Sequence, residues 1–192
     1  IDVAREARAR GLFTVFVTNG YVGAEARAEI FRHMDAANVD LKAFTEEFYA
    51  RQTLSHLEPV KETLEWLARE TGVWVEVTTL LIPGLNDGED ELRLLARFVR
   101  DRMSPDVPLH FSAFHPAYKM LDRPRTPRKT LSQARAIAIE EGLRYVYTGN
   151  VHDREGDTTF CPACRATVIE RDWFGVEKVR MRGRLCAACG TR

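Results

Sequence analysis

Apolar positions along this chain alternate between two rhythms. From Gly11 to Gly149, short β-branched and aromatic runs are separated by stretches with apolar residues three and four apart. Leu12 to Val17 predicts a strand, broken by Thr18-Asn19-Gly20-Tyr21, and Ala24, Ala28, Phe31 and Met34 then stripe one side of a helix. Asn38 to Leu41 is the next strand, and Leu57, Val60, Leu64, Leu67 and Ala68 mark a helix over 57–71. Val73 to Ile82 is a longer strand stopped by Pro83-Gly84, after which Asn86 or Asp87 is expected to cap a helix carrying Leu92, Leu95, Ala96 and Val99. A strand over 107–114, a helix on Leu131, Ala134, Ile137 and Ala138, and a strand over 143–147 complete the series.

Repeated strand–helix units predict parallel strands joined by right-handed crossovers. Such α/β units build an open doubly wound sheet or a (β/α) barrel. Five strands are too few to close an eight-stranded barrel; that residues 1–150 are the C-terminal part of a partial (β/α) barrel is the preferred reading on the motifs given below. Ile1 to Arg10 also reads as a helix, with Val3, Ala4 and Ala7 on one side. A helix starting uncapped at the first residue predicts that the chain is the C-terminal part of something longer. Residues 151–159, polar with Gly156 and two aspartates, read as a linker into a small unit over 160–192.

Composition narrows the function classes. The formal net charge is +0, with 28 basic and 28 acidic residues, so no overall field argues for nucleic acid, a membrane surface or an acidic partner. No apolar run is long enough to span a bilayer, and no charged-then-apolar leader opens the chain; a cytoplasmic location is expected. The segment 115–129 stands apart, with three prolines and the cations Lys119, Arg123, Arg125, Arg128 and Lys129. It follows a strand, on the side where (β/α) folds carry their active-site loops. Covering a substrate, touching a protein partner and lying solvated at the surface are all open to it.

All four cysteines fall near the C-terminus, as Cys161-Pro-Ala-Cys164 and Cys186-Ala-Ala-Cys189. Two residues between cysteines let one tight turn aim both thiolates at a single ion. Strands over 166–171 and 176–182, turning at Trp173-Phe174-Gly175, bring the two pairs together. The expectation is a zinc ribbon over 160–192 in which the metal supplies folding energy that so small a core lacks. Four thiolates also suit a rubredoxin-like iron site; two disulfides or free thiols are the bland alternative. A closed four-cysteine shell leaves no open position for catalysis.

Polar residues also collect where strands end. Thr18-Asn19-Gly20, Asp40-Leu41-Lys42 and Pro83-Gly-Leu-Asn-Asp87 are each unremarkable alone, as a turn, a surface ion pair and a turn with a cap. Their order, continued by Phe114-His115-Pro116, resembles the second half of radical S-adenosylmethionine (SAM) enzymes, in the branch of glycyl-radical activating enzymes. Three longer runs sharpen the likeness: Asn38-Val-Asp-Leu-Lys-Ala-Phe44, Phe114-His-Pro-Ala-Tyr-Lys-Met-Leu-Asp-Arg-Pro124 and Tyr145-Val-Tyr-Thr-Gly-Asn150. With the Cys-Pro-Xaa-Cys tail, they look like the radical SAM enzymes of the AmmeMemoRadiSam system, and the resemblance covers essentially the whole chain.

That resemblance implies a partial (β/α) barrel binding SAM and a [4Fe–4S] cluster, whose reduction yields a 5′-deoxyadenosyl radical that abstracts hydrogen from substrate. It implies that Asp40 and Lys42 face the methionyl part of SAM, with Thr18 and Asn19 beside the same ligand. His115 matches a histidine near the adenosyl group, and Ile82 with Pro83-Gly84 matches backbone along the adenine. Val17 stands where some activating enzymes carry an acid, and Thr78 and Thr79 where the branch can place an arginine, so those contacts do not transfer. The cluster loop Cys-x3-Cys-x2-Cys is absent from the 192 residues, so these residues alone are expected not to cleave SAM. The substrate is unidentified and includes a protein among its possibilities; neither a nucleic acid nor a membrane is expected as partner. A second reading makes the chain a binding module, a zinc ribbon on a (β/α) scaffold. A third, an enzyme with an ordinary phosphate site, lacks a glycine-rich loop.

Overall fold

The computed structural model describes residues 1–173 and 175–192; Phe174, at the expected hairpin turn, lies outside the described residues. Five parallel strands form one sheet: β1 (Val15–Thr18), β2 (Ala36–Asp40), β3 (Trp74–Leu81), β4 (Leu109–Ala113) and β5 (Val146–Gly149). Their spatial order is β1-β2-β3-β4-β5, without the reversal that marks a doubly wound sheet. The α/β class and the sequential, barrel-type winding agree with the sequence. The helices are α1 (Asp2–Ala9), α2 (Ala24–Phe31), the short α3 (Glu46–Phe48), α4 (Leu57–Glu70), α5 (Glu89–Phe98), α6 (Arg128–Glu140) and the four-residue α7 (Arg154–Asp157). Among the described residues no helix is long and apolar enough to cross a membrane.

Period-two alternation gives the sheet two unlike faces. Val39, Val77, Leu81, Leu109, Phe111 and Val146 are buried against Leu64, Leu67, Leu95 and Leu131 of the helices. The other face carries Asn38, Asp40, Glu76, Thr78, His110, Ser112 and Tyr147, all half-buried. Register places Asp40, Thr78, His110 and Tyr147 in one transverse row across β2 to β5.

The predicted stripe of α2 needs correction. Ala28 is exposed, and Arg27 is buried with Phe31. The Arg27 guanidinium lies over Trp66 and donates to the carbonyls of Val22 and Glu62. Its long apolar stem covers more surface than an alanine methyl, so the arginine takes the inward position.

The segment over 151–159 packs against the sheet's last strand. Val151, Asp153 and Thr158 are buried, and α7 lies within it. Gly156 has no room for a side chain, since a Cβ there would stand 1.8 Å from Thr148 Oγ1. The chain then forms an antiparallel sheet of β6 (Thr159–Phe160), β7 (Thr167–Asp172) and β8 (Gly175–Val179), and a hairpin of β9 (Met181–Arg182) with β10 (Leu185–Cys186). Arg154 fastens this unit by ion pairs to Glu170 and Glu177 at 2.6 and 2.7 Å.

Candidate functional site

Parallel strands wound in sequence bring all their C-terminal ends to one edge, and every predicted ligand-side residue lies there. Thr18 closes β1 with Asn19 next, Asp40 closes β2 with Lys42 two residues on, Ile82 follows β3, and His115 follows β4. At the first end, Thr18 Oγ1 accepts from the Gly20 N–H at 3.2 Å and Asn19 Oδ1 accepts from the Tyr21 N–H at 3.1 Å. Both side chains are therefore engaged in their own turn. Gly20 has φ +69°, and a Cβ would meet Val39 at 2.7 Å, so only glycine lets this turn press against β2.

At the second end, Lys42 Nζ donates to Asp40 Oδ2 at 2.8 Å, with both side chains about a third exposed. The Lys42 backbone is fixed from two sides. Its N–H donates to Tyr49 Oη at 3.1 Å, and its carbonyl accepts from Asn86 Nδ2 at 2.6 Å. Burial pushes the Tyr49 hydroxyl up to about 12, which keeps it neutral.

Asn86 is the clamp of this edge. Its Nδ2 also reaches the Leu80 carbonyl at 2.9 Å, and its Oδ1 accepts from the Ile82 N–H at 2.7 Å. It does not cap α5: the N-cap is Gly88, and Asp87 accepts from the Gly84 N–H at 2.8 Å. The expected cap is replaced by a buried tie between the ends of β2 and β3. Asn86 competes for backbone groups that the helix would otherwise leave it, as short amide side chains do in turns.

The basic segment after β4 is fastened over the same edge. Arg123 donates to the Pro83 carbonyl at 3.0 Å, and Arg125 to the Asn150 carbonyl at 3.1 Å. His115 is exposed, with Nε2 3.5 Å from that same Asn150 carbonyl. Two of the segment's cations are thus engaged with strand-end carbonyls.

The four cysteines converge. Their sulfurs lie within 4.8 Å of one another, with Cys161 to Cys189 at 3.6 Å and Cys164 to Cys186 at 3.8 Å. A tetrahedron with metal–sulfur bonds of about 2.3 Å has edges of about 3.8 Å, so the set fits one four-coordinate ion. Cys189 is drawn down to about 6 by the Thr191 hydroxyl and N–H, and Cys186 is lowered by the Cys189 and Ala188 N–H groups. At Cys164 the Ala166 N–H favours the thiolate, yet hydrogen bonds with Cys189, Cys161 and Cys186, together with burial, push the thiol up to about 12. Four crowded thiols resist full ionisation on their own, and a divalent cation lifts that opposition.

One polar pair escaped the sequence reading. Glu76 of β3 and His110 of β4 meet at 2.8 Å on the open sheet face. The signal lay in the pattern: residues bearing a polar group at every other position inside Val73-Trp-Val-Glu-Val-Thr78 and Leu109-His-Phe-Ser-Ala113, with Glu76 and His110 among them. Linking the two required the register of β3 with β4.

Solved structures share this fold. A domain of pyruvate-formate lyase-activating enzyme from Bacteroides vulgatus superposes with a TM-score of 0.67 at 18% identity, covering 78% of this chain and 88% of that one. A radical SAM methyltransferase from Sphaerobacter thermophilus gives 0.58 at 16% identity, over 72% of this chain and 41% of the other. The fold is one that radical SAM proteins adopt.

In sequence, the chain is 45% identical over 193 residues to an uncharacterized protein of Methanocaldococcus jannaschii, covering 100% of this chain and 57% of that protein. It is 32% identical over 101 residues to the isethionate sulfite-lyase activating enzyme of Desulfovibrio desulfuricans, covering 52% of this chain and 32% of that enzyme. The chain therefore spans little more than half of the first relative and about a third of the second. No family model matches it.

Proposed function

We propose that these 192 residues form the SAM-side part of a radical SAM enzyme, of the kind found in the AmmeMemoRadiSam system, followed by a structural zinc ribbon. The carrying observation is the Asp40–Lys42 pair at the C-terminal edge of a sheet wound like that of radical SAM proteins. A zwitterionic amino acid head can separate such a pair, its ammonium going to Asp40 and its carboxylate to Lys42. The partial exposure of both side chains leaves them reachable, and the Tyr49 and Asn86 contacts hold the Lys42 backbone in place. Thr18 and Asn19 shape the turn beside that pair, Ile82 is assigned to the adenine on the resemblance, and His115 with Asn150 stands at the far end of the edge.

When bound, SAM and a reduced [4Fe–4S] cluster supply a 5′-deoxyadenosyl radical for hydrogen abstraction. The chain's own four cysteines gather in the ribbon, so the cluster ligands are assigned to residues outside these 192. Sulfur spacing supports one tetrahedral ion in the ribbon, and zinc suits it because it folds small ribbons without redox chemistry. The activating-enzyme relative supports a protein among the candidate substrates.

The test uses the protein bearing these residues together with its cluster segment, reconstituted anaerobically and reduced. It is expected to form 5′-deoxyadenosine from SAM. Asp40→Asn and Lys42→Met are each expected to weaken SAM binding by about tenfold, the cost of one charge-assisted contact. A verified cluster that yields no 5′-deoxyadenosine overturns the reading.

A further inference from the structure

A cavity of about 590 Å³ lies between the open sheet face and the cysteine ribbon. It is separate from the polar edge described above. Trp74, Pro108 and Tyr145, on its wall, sit where β3, β4 and β5 begin, whereas Asp40, Ile82 and His115 lie where strands end. The sheet side of the wall is aromatic and polar, with Trp74, Glu76, His110 and Tyr147. The facing side mixes apolar Phe160, Ile169 and Met181 with the charged Asp157, Arg171 and Arg184. A volume of this size suits a one- or two-ring molecule.

The polar groups on that wall are oriented rather than loose. Glu76 accepts from Trp74 Nε1 at 3.0 Å and meets His110 Nε2 at 2.8 Å. The His110 contact holds the Glu76 carboxyl below its usual range despite partial burial, so Glu76 is a carboxylate. A carboxylate only accepts, which puts a proton on His110 Nε2 and, in the neutral ring, leaves Nδ1 as an acceptor. Among the described residues Nδ1 has no hydrogen-bond partner. The ring cannot easily turn away, because it stacks on Tyr147 with centroids 5.1 Å apart and planes at 26°. Tyr147 is in turn fixed through its hydroxyl to Thr159 at 2.9 Å, and Arg171 donates to the same Thr159 oxygen at 2.8 Å. A positioned acceptor on an aromatic wall selects a flat ligand that brings its own donor. On the cavity wall the acids Glu76 and Asp157 are matched by Arg171 and Arg184, so the formal charges balance and favour an uncharged ligand.

We propose that this cavity binds a neutral aromatic molecule with a ring hydroxyl, which donates to His110 Nδ1 while the ring lies against Trp74. The site does not depend on SAM chemistry, so its test is a binding measurement on the 192-residue chain with its metal in place. The probes are 4-ethylphenol and 4-ethylanisole, which match in shape while the second lacks the donor hydrogen. Binding is followed by tryptophan fluorescence and by the ring nitrogen resonances of His110. The phenol is expected to bind saturably and about tenfold more tightly than the anisole, the worth of one buried hydrogen bond. His110→Phe keeps a flat ring beside Tyr147 but lacks Nδ1, and is expected to bring the two affinities together. Ile169→Trp narrows the cavity and is expected to weaken both. Equal affinities in the unaltered chain, a preference that survives His110→Phe, or no saturable binding of either probe each overturn the proposal. If phenylalanine is not tolerated at position 110, the comparison of the two probes on the unaltered chain decides alone.

Discussion

Asn86 shows how much one side chain can decide. It is 2% exposed and makes three hydrogen bonds that join the ends of β2 and β3. Truncation takes a partner from two part-buried carbonyls and one buried N–H, and a buried polar group left unpaired costs more than the bond it loses. Asn86→Ala is expected to lower stability by about 2–4 kcal/mol, seen as a lower denaturant midpoint at unchanged slope. It is also expected to loosen Lys42, and under the proposed function SAM affinity would fall together with stability. A variant that unfolds as the unaltered chain does would remove Asn86 from this role. Local patterning did not reveal it, because an asparagine before an acidic helix start looks like a cap. Only the return of the chain past Lys42, 44 positions earlier, gives the amide its second task.

At the scale of elements, the apolar rhythm was a good guide where burial decides. All four residues predicted to stripe α6 are buried, and β3 alternates along its length. It was a poor guide on α2, where small alanines carry little weight and Arg27 competes for the interior. It was silent on how helices are tied side by side. Glu141, just beyond α6, accepts from Arg93 and Arg97 of α5, with Arg100 near it at 3.9 Å. Arg97 and Arg93 hold the Glu141 carboxyl down to about 2, from an ordinary value near 4.5. A carboxyl lowered by folding contributes fully above about pH 4.5, and its contribution is lost as the pH falls toward 2. Glu141→Gln is therefore expected to lower the melting temperature at neutral pH and to flatten its fall on acidification. An acid limb identical to that of the unaltered chain would show that the network does not stabilise the α5–α6 contact.

Across the whole molecule, two sites share one sheet face. The row Asp40, Thr78, His110, Tyr147 runs from the polar edge to the cavity wall. With strands about 4.8 Å apart, Asp40 and His110 stand about 10 Å from each other across two strand spacings. The winding, the cysteine cluster and the polar edge were legible because each rests on short-range spacing. The cavity was not, since it forms where residues near 76 and 110 meet residues near 160, 169 and 181. Metal analysis of the chain is expected to find about one zinc per molecule and no labile sulfide. A full complement of iron and sulfide would reassign the ribbon.

Cys161 and Cys186 themselves belong to the cavity wall. On the two proposals above, metal occupancy and ligand affinity are linked, and whatever factor one applies to the other is returned in equal measure. Chelation that loosens β6 and β10 should weaken 4-ethylphenol binding, and saturating phenol should slow zinc loss by tightening the same wall. Chelator titrations with and without the phenol measure both directions. Equal midpoints would show that the wall is indifferent to its ion. In a cell, such reciprocity would make the filled ribbon a condition for recognition, so scarcity of the metal would cost affinity and ribbon fold together.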